Sequence, residues 1–142
     1  MDKVRFGVIG YGNMGSQHIR YLANGEIPGA VLGAVCDNNP AKLDAAKEFL
    51  TKEHPDLPVA YFADYKELLD SGKIDAVLIA TPHYLHPVIA IDAFAKKLNV
   101  LSEKPIGVYT KKVLEMYDAA KKAGTVFGIM YNQRTNPMYQ KV

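Results

Sequence analysis

Three glycines (Gly10, Gly12 and Gly15), a carboxylate at Asp37 and an amine at Lys104 are the residues of this chain whose types and spacing can do chemistry. The glycines stand in the stretch FGVIGYGNMGSQHI as G-x-G-x-x-G, between an apolar run and a helical pattern. In that setting Gly10 permits a tight turn, Gly12 leaves room for a phosphate to approach the backbone, and Gly15 lets the helix lie close to the strand. The unpaired N–H groups and partial positive charge at the helix start favour an anion. Tyr11, Asn13 and Met14 complete the turn. Asp37 closes the second apolar run, roughly 20 residues beyond Gly15, where dinucleotide-binding turns keep an acid. A carboxylate there accepts hydrogen bonds from both hydroxyls of an adenosine ribose and repels a 2′-phosphate. The combination predicts a dinucleotide site, with NAD favoured over NADP. Methyltransferases that bind S-adenosylmethionine also join a glycine turn to a ribose acid, usually with more closely spaced glycines.

The elements that must position these residues are legible as alternating patterns. Apolar, β-branched runs at 4–10, 30–37, 59–62, 74–81, 99–104 and 125–131 read as strands. Between them lie helical patterns at 13–24, 39–54, 64–72, 87–98 and 110–124. Asn39 with Pro40, and Thr110, are candidate helix starts; Gly25, Gly72 and Gly124 are candidate stops. Met14, His18, Ile19 and Leu22 are expected on the inner face of the first helix, and Leu43, Ala46, Phe49 and Leu50 on that of the second. Strict β/α alternation implies a parallel sheet covered on both faces, and near-continuous apolar strands agree with that. The predicted fold class is α/β, a doubly wound, six-stranded Rossmann sheet. The expected division is a dinucleotide-binding domain over 1–131, followed by a short tail, 132–142, that begins a connection to something further.

Bulk properties exclude several other classes. The chain has 142 residues, 49% of them hydrophobic, and a net charge of +2 from 17 basic and 15 acidic residues mixed along its length. No basic block points to nucleic acid, and no run is long enough to span a membrane. The single cysteine, Cys36, permits no internal disulfide and is expected to be a buried free thiol, which suits a reducing, cytoplasmic compartment. No His/Cys/Asp/Glu grouping has metal-ligand spacing, so no metal is expected. His18 is expected to be a packing or surface group, and His54 solvated. In a doubly wound sheet, ligands lie beyond the carboxyl ends of the strands. The stretches ATPHYLHP (80–87) and SEKPIG (102–107) follow two such ends, which would bring Lys104 to the cofactor's edge.

The stretches GVIGYGNMG, VCDNNP, IATPHYLH and VLSEKPIG together resemble the N-terminal domain of the glucose–fructose oxidoreductase, inositol dehydrogenase and rhizopine-catabolism (Gfo/Idh/MocA) family, over residues 1 to about 135. The resemblance implies that Gly10, Gly12, Gly15 and Asp37, with Tyr11, Asn13 and Met14 of the turn, border the adenosine and pyrophosphate half of NAD(H). Thr81, Pro82 and His86 match the family's T-P-x-x-x-H pattern on the nicotinamide side. Glu103 and Lys104 match its E-K-P motif, in which the lysine touches substrate and helps move a proton. Arg134 and Pro137 match an R-x-x-P stretch. Two departures stand out. Leu98 occupies the place before the fifth strand where a glycine is common, and Thr135 follows the arginine where an aromatic is usual.

Family members carry a second domain with an Asp and a His that act alongside the lysine, and usually form homo-oligomers. Nothing in this sequence corresponds to that domain. The chain is therefore expected to be the NAD-binding part of an oxidoreductase that moves a hydride between nicotinamide and a sugar, polyol or related substrate, inactive alone. A non-catalytic NAD(H)-sensing or regulatory module is the alternative.

Overall fold

The computed structural model describes residues 3–141. Six strands, β1 (Val4–Ile9), β2 (Ala30–Cys36), β3 (Ala60–Phe62), β4 (Ala76–Ile79), β5 (Asn99–Ser102) and β6 (Phe127–Ile129), form one sheet. Between them run α1 (Asn13–Ala23), α2 (Pro40–Glu53), α3 (Tyr65–Asp70), α4 (His86–Ala95) and α5 (Thr110–Ala123). All strand pairs are parallel, in the order β3-β2-β1-β4-β5-β6. This is the doubly wound arrangement that the alternating pattern predicts, with the reversal of strand order between β1 and β4.

The pleat divides the apolar strands between two cores. Val8, Leu32, Val35 and Leu78 face Ile19 and Leu22 of α1 and Leu43, Ala46 and Leu50 of α2. Their neighbours Ile9, Ala34, Cys36, Val77 and Ile79 face the other way, onto α3, α4 and α5. Successive residues of a strand point to opposite faces, so a run buried on both sides must be apolar throughout. Helix α4 is apolar nearly all round, and its Phe94 meets Phe127 edge to face at 5.4 Å.

Local chemistry sets the helix ends. The Asn39 side chain accepts from the Ala41 N–H at 3.0 Å, and Pro40 opens α2. Asp64 caps α3 by accepting from Lys66 N–H at 2.8 Å. Gly25 and Gly124 follow α1 and α5 with left-handed φ values of 70° and 67°. Thr110 does not cap α5: Tyr109 is the residue before the helix, Thr110 is its first turn, and no side chain caps it. Met14 is not on the packed face of α1 but 40% exposed, because the buried stripe is Gly15, His18, Ile19 and Leu22. The strands are shorter than the apolar runs that announce them. The last residues of several runs, Gly10, Asp37 and the pair Glu103–Lys104, leave the ladder and enter loops. The tail forms a 3₁₀ turn at Asn132–Thr135; Val142 lies outside the described residues.

Before β5 the backbone takes a left-handed step at Lys97. Lys97 follows α4 and its C-cap Lys96 with φ 60°, the one non-glycine residue with positive φ among those described. A side chain in that region costs about 1–2 kcal/mol relative to the right-handed form. Lys97→Gly should therefore raise unfolding free energy by about 1 kcal/mol. Urea denaturation at constant m-value measures it, and a destabilised variant would contradict the assignment of strain.

Candidate functional site

A single register row crosses the whole sheet: Phe62 pairs with Cys36, Cys36 with Ile9, Ile9 with Ile79, Ile79 with Ser102, and Ser102 with Ile129. One residue past that row the backbone is still bonded. The N–H groups of Asp37, Gly10, Ala80, Glu103 and Met130 donate to the carbonyls of Phe62, Cys36, Ile9, Ile79 and Ser102 at 2.8–3.2 Å. The loops that leave this edge enclose a cleft of about 810 Å³. That lies within the range of roughly 300–1,000 Å³ usual for small-molecule sites.

The glycine turn forms one wall. Gly10 has φ 102°, and a Cβ on it would meet the Ala80 carbonyl oxygen at 2.6 Å. A Cβ on Gly15 would fall on the Gly10 carbonyl oxygen. A Cβ on Gly12 would meet nothing within 4 Å, because it would project into the open cleft. Gly12 is also the cap residue of α1 and offers no side-chain acceptor to the helix's first amides, unlike Asn39 and Asp64 at α2 and α3. Those amides are available to an anion.

Asp37 sits beside this wall, 8% exposed. Its Oδ2 accepts from the Tyr11 N–H at 2.7 Å and its Oδ1 from the Asn39 N–H at 2.8 Å. The carboxylate thus fixes the glycine turn as well as facing the cleft, and an ionised carboxylate retains further lone pairs for a ribose. Cys36 lines the cleft just below; burial pushes its thiol up to about 12, which makes it a poor nucleophile.

The opposite wall comes from the loops after β4 and β5. Thr81, Pro82, His83, Glu103 and Lys104 line it. The Thr81 hydroxyl is buried without a protein partner. His86 lies behind them, with no exposed surface. Its Nδ1 is 2.8 Å from the Pro105 carbonyl oxygen and its Nε2 2.8 Å from that of Thr81, so the ring braces the two loops against each other. Carbonyl oxygens only accept; a neutral ring donates to one of them and a protonated ring to both. Glu103 is 6% exposed, while Lys104 is exposed and makes no ion pair among the described residues.

The structure therefore brings Gly10, Gly12, Asn13, Met14, Asp37, Thr81, Pro82, His86, Glu103 and Lys104 to one cleft. Tyr11 and Gly15 lie behind its lining, the first as the donor to Asp37 and the second beneath the turn. Arg134 belongs to the turn after β6 and does not line the cleft. His18 is neither a surface group nor simple packing: it is 7% exposed, with Nε2 2.7 Å from Glu103 Oε1. Its place at helical spacing hinted at burial, but no sequence signal named a partner 85 residues away. Tyr65 and Ile89, which no motif of the sequence marks, also line the cleft. Among the described residues no group of His, Cys, Asp and Glu is arranged for a metal, and no helix is long and apolar enough to cross a membrane.

An uncapped helix start, a glycine opening onto free space, a fixed acid and an unpartnered hydroxyl fit a dinucleotide laid across the strand-order reversal. The fold and cleft define a Rossmann-type nucleotide-binding domain. The chain belongs to the Gfo/Idh/MocA family: the model of that oxidoreductase family's NAD-binding Rossmann fold matches residues 4–131. Inositol 2-dehydrogenase of Arthrobacter sp. (strain FB24) is 37% identical over 124 residues, which are 87% of this chain and 34% of that protein. Alpha-N-acetylgalactosaminidase of Shewanella oneidensis is 32% identical over 125 residues, 86% of this chain and 27% of that protein. The crystal structure of scyllo-inositol dehydrogenase from Lactobacillus casei with bound NAD(H) and scyllo-inositol superposes with a TM-score of 0.86 at 27% identity, covering 99% of this chain and 39% of that one. WlbA dehydrogenase from Bordetella pertussis in complex with NADH and UDP-GlcNAcA gives 0.86 at 31% identity, covering 98% and 40%. The chain thus spans between about a quarter and two-fifths of the length of these relatives.

Two glycine substitutions should separate ligand space from folding space. Gly12→Val should abolish NADH binding and leave unfolding free energy within about 1 kcal/mol, since the added side chain meets only the cleft. Gly15→Ala should destabilise by about 1–3 kcal/mol or prevent folding, as overpacking does. Fluorescence titration with NADH and urea denaturation read the two effects; unaltered NADH affinity in a folded Gly12→Val chain would remove the glycine turn from the site.

Proposed function

We propose that this chain is the cofactor-holding part of an NAD-dependent oxidoreductase acting on a hydroxyl group of a sugar, polyol or related compound. The observation that carries the reading is the exposed, unpaired Lys104 on the cleft wall opposite the glycine turn. A domain that only sensed NAD(H) has no use for a free amine there. When bound, nicotinamide dinucleotide supplies the hydride acceptor. The α1 amides and Gly12 would hold its pyrophosphate, and Asp37 the adenosine ribose. Thr81 would offer its hydroxyl on the nicotinamide side. Lys104 would contact the substrate's hydroxyl and help move its proton as the carbon is oxidised. A further domain, as in the longer relatives, would supply the remaining walls and partner groups.

A second reading has one observation behind it, the glycosidase and glycosyl hydrolase family 109 proteins among the relatives. Some glycoside hydrolases depend on NAD. A hydride that left and returned within one turnover would let a glycoside be cleaved without net NADH. Release of an aryl alcohol from aryl glycosides, measured beside NADH formation from polyols and inositols, separates the two in the longer protein.

Cofactor choice follows from Asp37. Its two oxygens are tied to the Tyr11 and Asn39 amides, so it cannot swing away from a 2′-phosphate, although Lys42 on the same stretch lies close enough to line the cleft. Calorimetric titration should find NAD(H) bound more tightly than NADP(H), and Asp37→Asn, which keeps an acceptor for the turn, should narrow the gap. Tighter NADP(H) binding by the unsubstituted chain would sink this assignment. The chain alone should also form no NADH from NAD and a panel of inositols, polyols and aldoses. Holding reactants in line is worth about 7–11 kcal/mol, and a cleft open on its substrate side forfeits that alignment. Turnover proportional to protein concentration, and lost in Lys104→Ala, would show the chain to be a complete enzyme.

A further inference from the structure

Glu103 and His18 are a buried acid and a buried ring that the proposed chemistry does not consume, and their geometry gives them a different task. Glu103 directs its two carboxylate oxygens to two different elements. Oε1 lies 2.7 Å from His18 Nε2 on α1, and Oε2 accepts the Lys104 backbone N–H at 3.1 Å. An ionised carboxylate only accepts, so the proton of the first bond belongs to His18 Nε2. The Glu103 backbone is itself fixed, with its N–H on the Ile79 carbonyl at 2.9 Å and its carbonyl accepting from the Ser102 hydroxyl at 3.2 Å. The side chain is thus held on a rigid strand end between the pyrophosphate-side helix and the amide of the reactive lysine.

A lone carboxylate at 6% exposure would be costly, and taking His18 away would leave it unpaired. A merely structural pair can be exchanged for apolar residues with little loss. This pair does more, because its second oxygen grips the lysine. On the far side, His86 holds the carbonyl of Pro105, the next residue, at 2.8 Å. Lys104 is therefore anchored before and after its own Cα while its side chain stays exposed in the cleft.

We propose that His18 is a positioning residue, acting through Glu103 to fix the Lys104 backbone, so that the helix holding the dinucleotide's phosphates also sets where the reactive amine leaves the cleft wall. The proposal rests on the reading of Lys104 as the proton-handling group, but its test does not need turnover. The Lys104 amide is followed by hydrogen exchange in ¹⁵N-labelled protein, with the Val8 and Val77 amides as core references. His18→Met removes the donor at similar volume, and His18→Gln keeps a donor near the position of Nε2. The Lys104 amide should exchange at least about tenfold faster in His18→Met, the scale expected when a hydrogen bond to a charged group is loosened. His18→Gln should restore most of the protection, with Val8 and Val77 unchanged in both.

NADH titrated into the same samples should bind within about threefold of the unsubstituted chain, since the glycine turn is untouched. If His18→Met does not fold, His18→Met/Glu103→Gln, which removes the buried charge and keeps an acceptor oxygen for the Lys104 amide, takes its place with the same reading. Lys104 protection equal to that of the unsubstituted chain in a folded variant overturns the positioning role. Failure of the unsubstituted chain to bind NADH overturns the proposed function instead, and the two failures are read from different signals.

Discussion

One register row governs this molecule. Phe62, Cys36, Ile9, Ile79, Ser102 and Ile129 are paired in line across six parallel strands, and the cleft-lining residues Gly10, Asp37, Ala80 and Glu103 begin one residue beyond them. Gly10, Asp37 and Glu103 each follow a member of the row directly; Thr81 and Lys104 come one step later. A slip of one residue in any pairing would turn that strand's core side chains to the wrong face. It would also move the site residue at its end by more than 3 Å, since a strand rises about 3.3 Å per residue. Val8 and Ile9, Val35 and Cys36, Leu78 and Ile79 bury opposite faces of the sheet, so both cores resist such a slip. The hydrophobic pattern that builds the fold is therefore the device that aligns the site.

Beyond the row, polar side chains take over the work that strand pairing does inside it. Asp37 ties the turn after β1 to the loop after β2 through the Tyr11 and Asn39 amides. His86 ties the loop after β4 to that after β5. Glu103 and His18 tie the β5 loop to α1. Each of these groups is nearly or wholly buried, and each has its hydrogen-bonding capacity directed at neighbouring loops. In a low-dielectric setting such bonds gain strength only if no member is left unpaired, so the loops hold one geometry or lose several bonds together. Three kinds of group without protein partners line the cleft: the α1 amides, the Thr81 hydroxyl and the Lys104 amine; the other buried unpartnered hydroxyl among the described residues, that of Thr125, lies away from it.

What the sequence made legible was whatever rests on local order. Periods of two and 3.6 residues, glycines at run ends and Asn39 with Pro40 placed the strands, the helices and the glycine turn, because those signals arise within a few residues. Thr110 misled because a hydroxyl beside a helix start is a cap only if the backbone leaves it outside the first turn. Met14 misled because the buried stripe of α1 runs through Gly15, His18, Ile19 and Leu22, which leaves Met14 on the cleft side. The left-handed turn before β5 left no trace because lysine, not glycine, fills the position; the φ of Lys97 had to be seen. The His18–Glu103 bond was out of reach for a different reason. It joins residues far apart in the chain, and nothing local distinguishes a histidine that will meet a carboxylate from one that packs or faces water.

The three glycines of the turn carry the same letter for different causes, and the difference bears on how such a motif is read. Gly10 is required by its own backbone angle and by the Ala80 carbonyl; Gly15 is required by the Gly10 carbonyl above it. Both are demands of the folded chain, and any protein with this crossing of strand and helix would make them. Gly12 alone is required by nothing in the chain, since its missing side chain would meet only open space. A glycine that folding does not need, at the uncapped start of a helix and facing a cleft, has its explanation outside the polypeptide. In the G-x-G-x-x-G pattern it is thus the middle glycine that speaks for a ligand, while the outer two speak for the turn.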